Sequence, residues 1–328
     1  MEEVSGEKPG LLPASAPSFL LPLALVAAGL LELGFLLSTR DYPPATLEAL
    51  TALGAERPFQ YRVLFPALVR LFQDLSGSLL PLPLVYGVVN YLACLALLLA
   101  LGRLLTRYLP PRRAALAALA VSWPIYWNHF HLSEWFYPSD VPAMFFFTAG
   151  LLLILQRRWG LYYLLFLAAT LNRETSCFLS LAMVLLLLGR LPLPRLILHG
   201  TAQLLIWMVI KVALSLIFQD NPGSAVAHLT LIKNLDLLAG LWTHNPLKSP
   251  FYQFVFAHGF IWLPIPFLWS RLDSELKRLL ILIPLFYAAM AVVGNLNEPR
   301  IFLELEPVLT AAAMVALLGA KAGRVQRG

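Results

Sequence analysis

The sequence predicts an all-α protein that crosses a membrane many times, and three observations predict it. Apolar residues make up 59% of the chain against 13% charged, with a mean hydropathy of +0.74. A soluble domain of 328 residues needs more charge than that to stay dissolved. The apolar stretches are continuous rather than alternating, which in a bilayer means helix, because every backbone polar group must be bonded within its own segment. Acidic residues and histidines also gather in the alternate loops that lysine and arginine avoid.

About ten transmembrane helices (nine to eleven) follow from apolar windows at 18–38, 79–102, 114–127, 140–156, 160–171, 177–189, 196–218, 251–269, 279–294 and 301–319. A crossing takes about 20 residues. Windows 160–171 and 177–189 fall short of that and stand as two segments or a re-entrant pair, because Asn172-Arg173-Glu174-Thr175 separates them. Pro22, Pro142, Pro264, Pro266 and Pro284 lie inside windows, where membrane helices tolerate proline better than soluble ones do. Residues 1–17 read as a disordered cytoplasmic tail rather than a cleaved signal peptide, 18–320 as one transmembrane domain, and 321–328 as a basic cytoplasmic tail.

In the first outer loop, residues 60–75 place Leu64, Leu68, Leu71 and Leu75 on one helical stripe. This predicts a helix lying in the membrane interface, with Pro66 in its first turn or bending it. Residues 44–54 form a second, weaker interfacial helix. A loop helix that merely seals the bundle carries the same pattern.

The lysine and arginine bias sets the orientation. With the N-terminus inside, the inner loops hold Arg103, Arg107, Arg112, Arg113, Arg157, Arg158, Arg190, Arg195, Arg271, Lys277, Arg278 and the basic C-terminal tail; the outer loops hold fewer, including Arg40, Arg57, Arg62, Arg70, Arg173 and Arg300. Both termini are therefore expected in the cytoplasm and the chain in the cytoplasmic membrane. The net charge of +6 reads as anchoring to the inner leaflet of the lipid bilayer, not as nucleic-acid binding. Cys94 and Cys177 lie in apolar runs and form no disulfide framework.

Four polar constellations stand out. Arg40-Asp41-Tyr42 follows the first span, where a charge can also be simply solvated. His129-x-His131-x-x-Glu134 precedes Tyr137-Pro138-Ser139-Asp140; His, Glu and Asp can build a metal site, but this spacing is no known ligand motif, and the aromatic residues around it also suit an interfacial belt. Asn172-Arg173-Glu174-Thr175 lies between apolar runs, where insertion of a charge costs about 2.5–3.5 kcal/mol. Adjacent residues on a helix face different sides, so Arg173 and Glu174 each need a separate partner: a phosphate for the first, an arginine or hydroxyl for the second, or a structural ion pair between helices. Finally, Glu298-Pro299-Arg300 precedes Glu304 and Glu306, and Arg300 and Glu304 are spaced to pair on one face. Glu32 and Lys211 lie deep in spans and could pair with one another.

The run Asp140-Val141-Pro142, then Phe145-Phe146-Phe147, an inner turn with Arg157-Arg158-Trp159, and Leu167 to Thr175 ending in Asn-Arg-Glu-Thr resembles the GT-C superfamily of integral-membrane glycosyltransferases. The order of elements is similar as well: one span, an acid just after it, a long outer loop with interfacial helices, then paired spans. The resemblance implies inverting transfer of a sugar from a polyprenyl-phosphate donor to an unknown acceptor at the outer face of the cell envelope. It implies Asp41 as general base and Asp140 as a residue that positions the acceptor or helps hold a divalent metal ion. Arg173, Arg300 and Arg62 are the implied donor-phosphate ligands, with Asn172, Glu174, Glu298, Glu304, His129 and His131 in support. The acid after the first span is a lone Asp41 rather than an acidic pair, a departure that bears on metal use. Trp127, Trp135, Tyr137 and Trp242 could stack on sugar rings. Two other classes fit a polar cluster in a bundle: a lipid or solute transporter or flippase, which should show two similar halves, and a non-catalytic membrane assembly protein, which would tolerate loss of the cluster. No serine–histidine pairing or His-Glu-x-x-His motif of a membrane protease is present.

Overall fold

The structure is a computed structural model and describes residues 20–223, 231–239, 256–296 and 298–319. Both tails, His228, Trp242, His244, Lys248 and the first part of the 251–269 window lie outside the described residues.

In order, the helices are α1 (Leu20–Ser38), α2 (Leu47–Thr51), α3 (Leu64–Leu75), α4 (Leu82–Leu105), α5 (Pro111–Leu119), α6 (Ser122–Tyr126), α7 (Asp140–Leu155), α8 (Trp159–Asn172), α9 (Cys177–Leu187), α10 (Leu193–Ile217), α11 (Leu231–Ala239), α12 (Pro264–Phe267), α13 (Ser274–Leu280), α14 (Leu282–Val293) and α15 (Glu306–Leu318). Two short strands, β1 (Arg40–Asp41) and β2 (Trp135–Phe136), pair in parallel.

Five stretches among the described residues are long and apolar enough to cross a membrane: 20–38, 82–105, 193–217, 274–293 and 299–318. This is fewer than the ten expected, and the reasons are local. The 114–127 window breaks into α5, α6 and a wider π-type turn at Trp127–His131; Pro124, lacking an N–H, falls within α6. In the described part of the 251–269 window, His258, Gly259 and Phe260 adopt left-handed backbone angles, Pro264 and Pro266 follow, and the α-helix among these described residues is a single turn, Pro264–Phe267. Helices α7, α8 and α9 are apolar but short. Helices α8 and α9 remain separate, joined by a tight turn at Glu174–Ser176.

Helix α4 packs against α1, α5 and α7, and α7 against α8 and the 299–305 turn. The last crossing is 78% buried over its central window, whereas α10 is 11% buried, so α15 belongs to the core and α10 to the rim. Gly34 lets the Phe130 ring lie directly on α1, since a Cβ there would overlap that ring. Helix α3 begins just before Pro66, buries Pro66 and Val69, and leaves Leu68, Leu71, Phe72 and Leu75 exposed. That is the face an interfacial helix turns to lipid, and α2 forms within the 44–54 stretch.

At the ends of α4, α9 and α13, Glu275 meets Arg107 at 3.4 Å and Arg190 at 2.6 Å, with the Tyr108 hydroxyl donating to it at 3.0 Å. Arg278 donates to the Leu188 carbonyl at 2.7 Å. The residues of several predicted inner loops thus meet at one end of the bundle, opposite the end where α7 and α9 begin.

Candidate functional site

At that other end the charged motifs converge. Asp140 is the first residue of α7, where the helix dipole favours a carboxylate, and its side chain is fully buried. Its Oδ1 lies 3.2 Å from Arg173 Nη1 and 3.8 Å from Arg300 Nη1. Arg173 has extended backbone angles between α8 and the next turn, which sends its side chain towards α7 and that of Glu174 elsewhere. Arg173 Nε lies 3.6 Å from Glu304 Oε1, which also accepts from the Thr175 hydroxyl. Glu174 pairs with Arg62 at 3.7 Å. Arg62 also donates to Ser139 Oγ at 3.4 Å, and Asn172 Nδ2 donates to the Ser139 carbonyl at 3.0 Å. Burial lowers the Arg62 guanidinium from its ordinary range, while Glu174 beside it pulls the other way.

Arg300 holds Glu298 at 3.0 Å, and its guanidinium lies 3.4 Å from the centroid of the Tyr137 ring. Burial pushes the Tyr137 phenol upwards, against the pull of Arg300. Arg300 is the arginine of this cluster that lines a cavity of about 640 Å³, together with Tyr42, Asn128, His131, Glu134, Trp135, Tyr137 and Glu298. Its Nη1 makes no hydrogen bond among the described residues. Arg173, 3% exposed, is enclosed by its carboxylates.

The expected separation of Arg173 and Glu174 is therefore present, with an arginine as the partner of Glu174. Two expected pairings are not. Arg300 and Glu304 turn to different partners, because the 299–305 segment winds as a 3-10 helix, in which residues four apart do not share a face. Glu32 accepts from Asn90 Nδ2 at 2.7 Å, and Lys211 lies over the Tyr61 ring at 4.7 Å.

The β1–β2 ladder separates the predicted residues further. Asp41, opposite Phe136 in the ladder, lines a second cavity of about 140 Å³ with Glu32, Thr39, Arg40, Leu47, Gly87 and Phe136. Tyr42, Trp135 and Tyr137 line the larger one. Asp41 Oδ2 accepts from the Leu47 amide at 3.4 Å, and desolvation raises its carboxyl above the ordinary aspartate value.

The histidines diverge as well. His129 is buried edge-on against Phe35, with ring centroids 5.0 Å apart, and neither ring nitrogen is hydrogen-bonded among the described residues. Burial pushes its pKa down to about 4. His131 lines the large cavity. Among the described residues no three of His, Cys, Asp and Glu gather as metal ligands.

Sequence reasoning missed one buried polar chain. Glu306 accepts from Asn128 at 2.5 Å and bonds His258 Nδ1 at 2.7 Å, and His258 Nε2 bonds the Tyr287 hydroxyl at 2.9 Å. Asn128 and Glu306 are 178 residues apart, and no local spacing signals their meeting. No protein-family model, no curated protein and no solved structure matches the chain.

Proposed function

We propose that this protein is a GT-C-type glycosyltransferase of the cytoplasmic membrane, with both termini in the cytoplasm. In this reading it moves a sugar, with inversion, from a polyprenyl-phosphate donor to an acceptor at the outer face. The observation that carries the proposal is Arg300 on the wall of a cavity large enough for a sugar phosphate, backed by the buried Asp140–Arg173–Glu304 cluster. A guanidinium pairs phosphate oxygens in a fork. It stabilises the charge that grows on the leaving phosphate as the anomeric bond breaks. Arg173 and Arg62 hold the frame in which Arg300 is presented. Trp135 and Tyr42, on the same wall, offer ring faces for the sugar.

The acceptor hydroxyl gives its proton to Asp41 as its oxygen attacks the anomeric carbon, and the electron pair of the broken bond leaves on the phosphate. Asp41 and Tyr42 are consecutive and line different cavities, so in this reading the acceptor hydroxyl held by Asp41 reaches across the ladder to the donor. A base acts only when deprotonated. Activity is therefore expected to fall as the pH drops through the Asp41 pKa, and the raised carboxyl shifts that acid limb upwards from where an ordinary aspartate would put it. A pH profile of kcat/KM checks this. In Asp41→Asn the residual rate should be low and the limb absent; an unchanged limb removes Asp41 as the base.

A further inference from the structure

We infer that the cavity holding Asp41 is a lateral docking cleft for a phospholipid that carries a free headgroup hydroxyl, and that this lipid is the acceptor of the transfer; the acceptor role rests on the proposed function. The cleft lies between α1 and α4, with Glu32, Phe35 and Leu36 on one wall, Pro83 and Gly87 on the other, and Asp41 at its head. Glu32 lies six residues from the end of α1, about 9 Å down the helix, inside a stretch apolar enough to span the bilayer.

The side chains beside the cleft are those of a lipid-facing surface. Leu36 is 73% exposed, and Leu37, Leu84 and Val88 are exposed as well. The cleft therefore opens sideways, towards acyl chains, rather than towards water. Glu32 breaks that pattern. An ionisable group at such depth is costly without a partner, yet Glu32 receives one hydrogen bond, from Asn90, and forms no ion pair among the described residues. Asn90 itself is buried, and its Oδ1 has no hydrogen-bond partner among the described residues. Gly87 faces the carboxylate from α4, where a Cβ would come within 3.0 Å of Glu32 Oε1, so the glycine keeps the floor open.

The lining states what the occupant must bring. Asp41, at the head, is an acceptor and calls for an O–H donor. Arg40, at the same head, makes no ion pair among the described residues and suits a phosphate. The apolar walls suit acyl chains. A phospholipid with a hydroxylated headgroup has all three parts in the right order: phosphate at Arg40, hydroxyl at Asp41, chains along Leu36. In the transfer, that hydroxyl loses its proton to Asp41, its oxygen bonds the anomeric carbon, and the polyprenyl phosphate departs with the electron pair.

The test uses the full chain in nanodiscs of phosphatidylcholine with or without phosphatidylglycerol, a radiolabelled polyprenyl-phosphate sugar, and the Leu36→Trp variant, which fills the mouth from a lipid-exposed position. Label should appear in phosphatidylglycerol. Leu36→Trp should cut that transfer at least tenfold without changing donor binding, and native mass spectrometry should find phosphatidylglycerol retained by the wild type and lost from the variant. Transfer only to water-soluble acceptors, or a variant as active as wild type, overturns the inference while the transferase reading stands. No donor consumption, but selective retention of phosphatidylglycerol that Leu36→Trp abolishes, sinks the transferase reading and leaves the docking cleft supported. Absence of that selective retention as well overturns the cleft.

Discussion

Replacing Asp140 by asparagine is expected to destabilise the protein by about 3–5 kcal/mol, because it strands buried guanidiniums without their shared carboxylate. Asp140 is fully buried, and both Arg173 and Arg300 face its Oδ1. The asparagine is nearly isosteric, so packing is kept and the loss is electrostatic. Arg173 retains Glu304, and Arg300 retains Glu298, which should leave a folded but weakened protein rather than none. Thermal unfolding in detergent would show it, beside Asp74→Asn on the exposed side of α3 as a control that leaves the midpoint unchanged. If Asp140→Asn melted with the wild type, the buried cluster would not be the organising feature of this end of the bundle.

The second large effect is expected at Arg300. Arg300→Ala should lower kcat/KM for a polyprenyl-phosphate sugar by a hundredfold or more, on the order of what removing one charge-stabilising donor costs. Arg300→Lys should fall between, since lysine keeps the charge but loses both the fork and the stacking on Tyr137. Arg300 lines the large cavity and Arg173 does not, so the two arginines should behave differently: Arg173→Ala is expected to lower stability first. A rate for Arg300→Ala within threefold of wild type would remove the arginine from the phosphate site.

What could be read from the sequence was whatever has a short period or a short separation. The exposed leucine stripe of α3 follows from 3.6-residue spacing. The divergence of Arg173 and Glu174 follows from their adjacency, whereas no spacing announces the ion pair of Asp140 with Arg173, although both lie in loops that the charge bias places at one end. The differences have physical causes too. Composition is blind to the π-type turn that follows 114–127 and to the left-handed backbone at His258–Phe260, so among the described residues neither window appears as one long continuous helix. Pairing Arg300 with Glu304 assumes an α-helical spacing where the chain winds more tightly. The separation of Asp41 from Arg300 rests on a two-residue parallel ladder between segments far apart in the chain, and no periodicity announces it. The Asn128–Glu306–His258 chain is invisible for the same reason.

The most direct test of the central claim is donor consumption by the purified, folded protein in nanodiscs, using a panel of radiolabelled polyprenyl-phosphate sugars with Arg300→Ala alongside. The proposed function predicts that at least one donor is consumed, that the sugar leaves with inverted anomeric configuration, and that the variant loses this turnover. A folded wild-type protein that neither binds nor consumes any donor of a broad panel would contradict it.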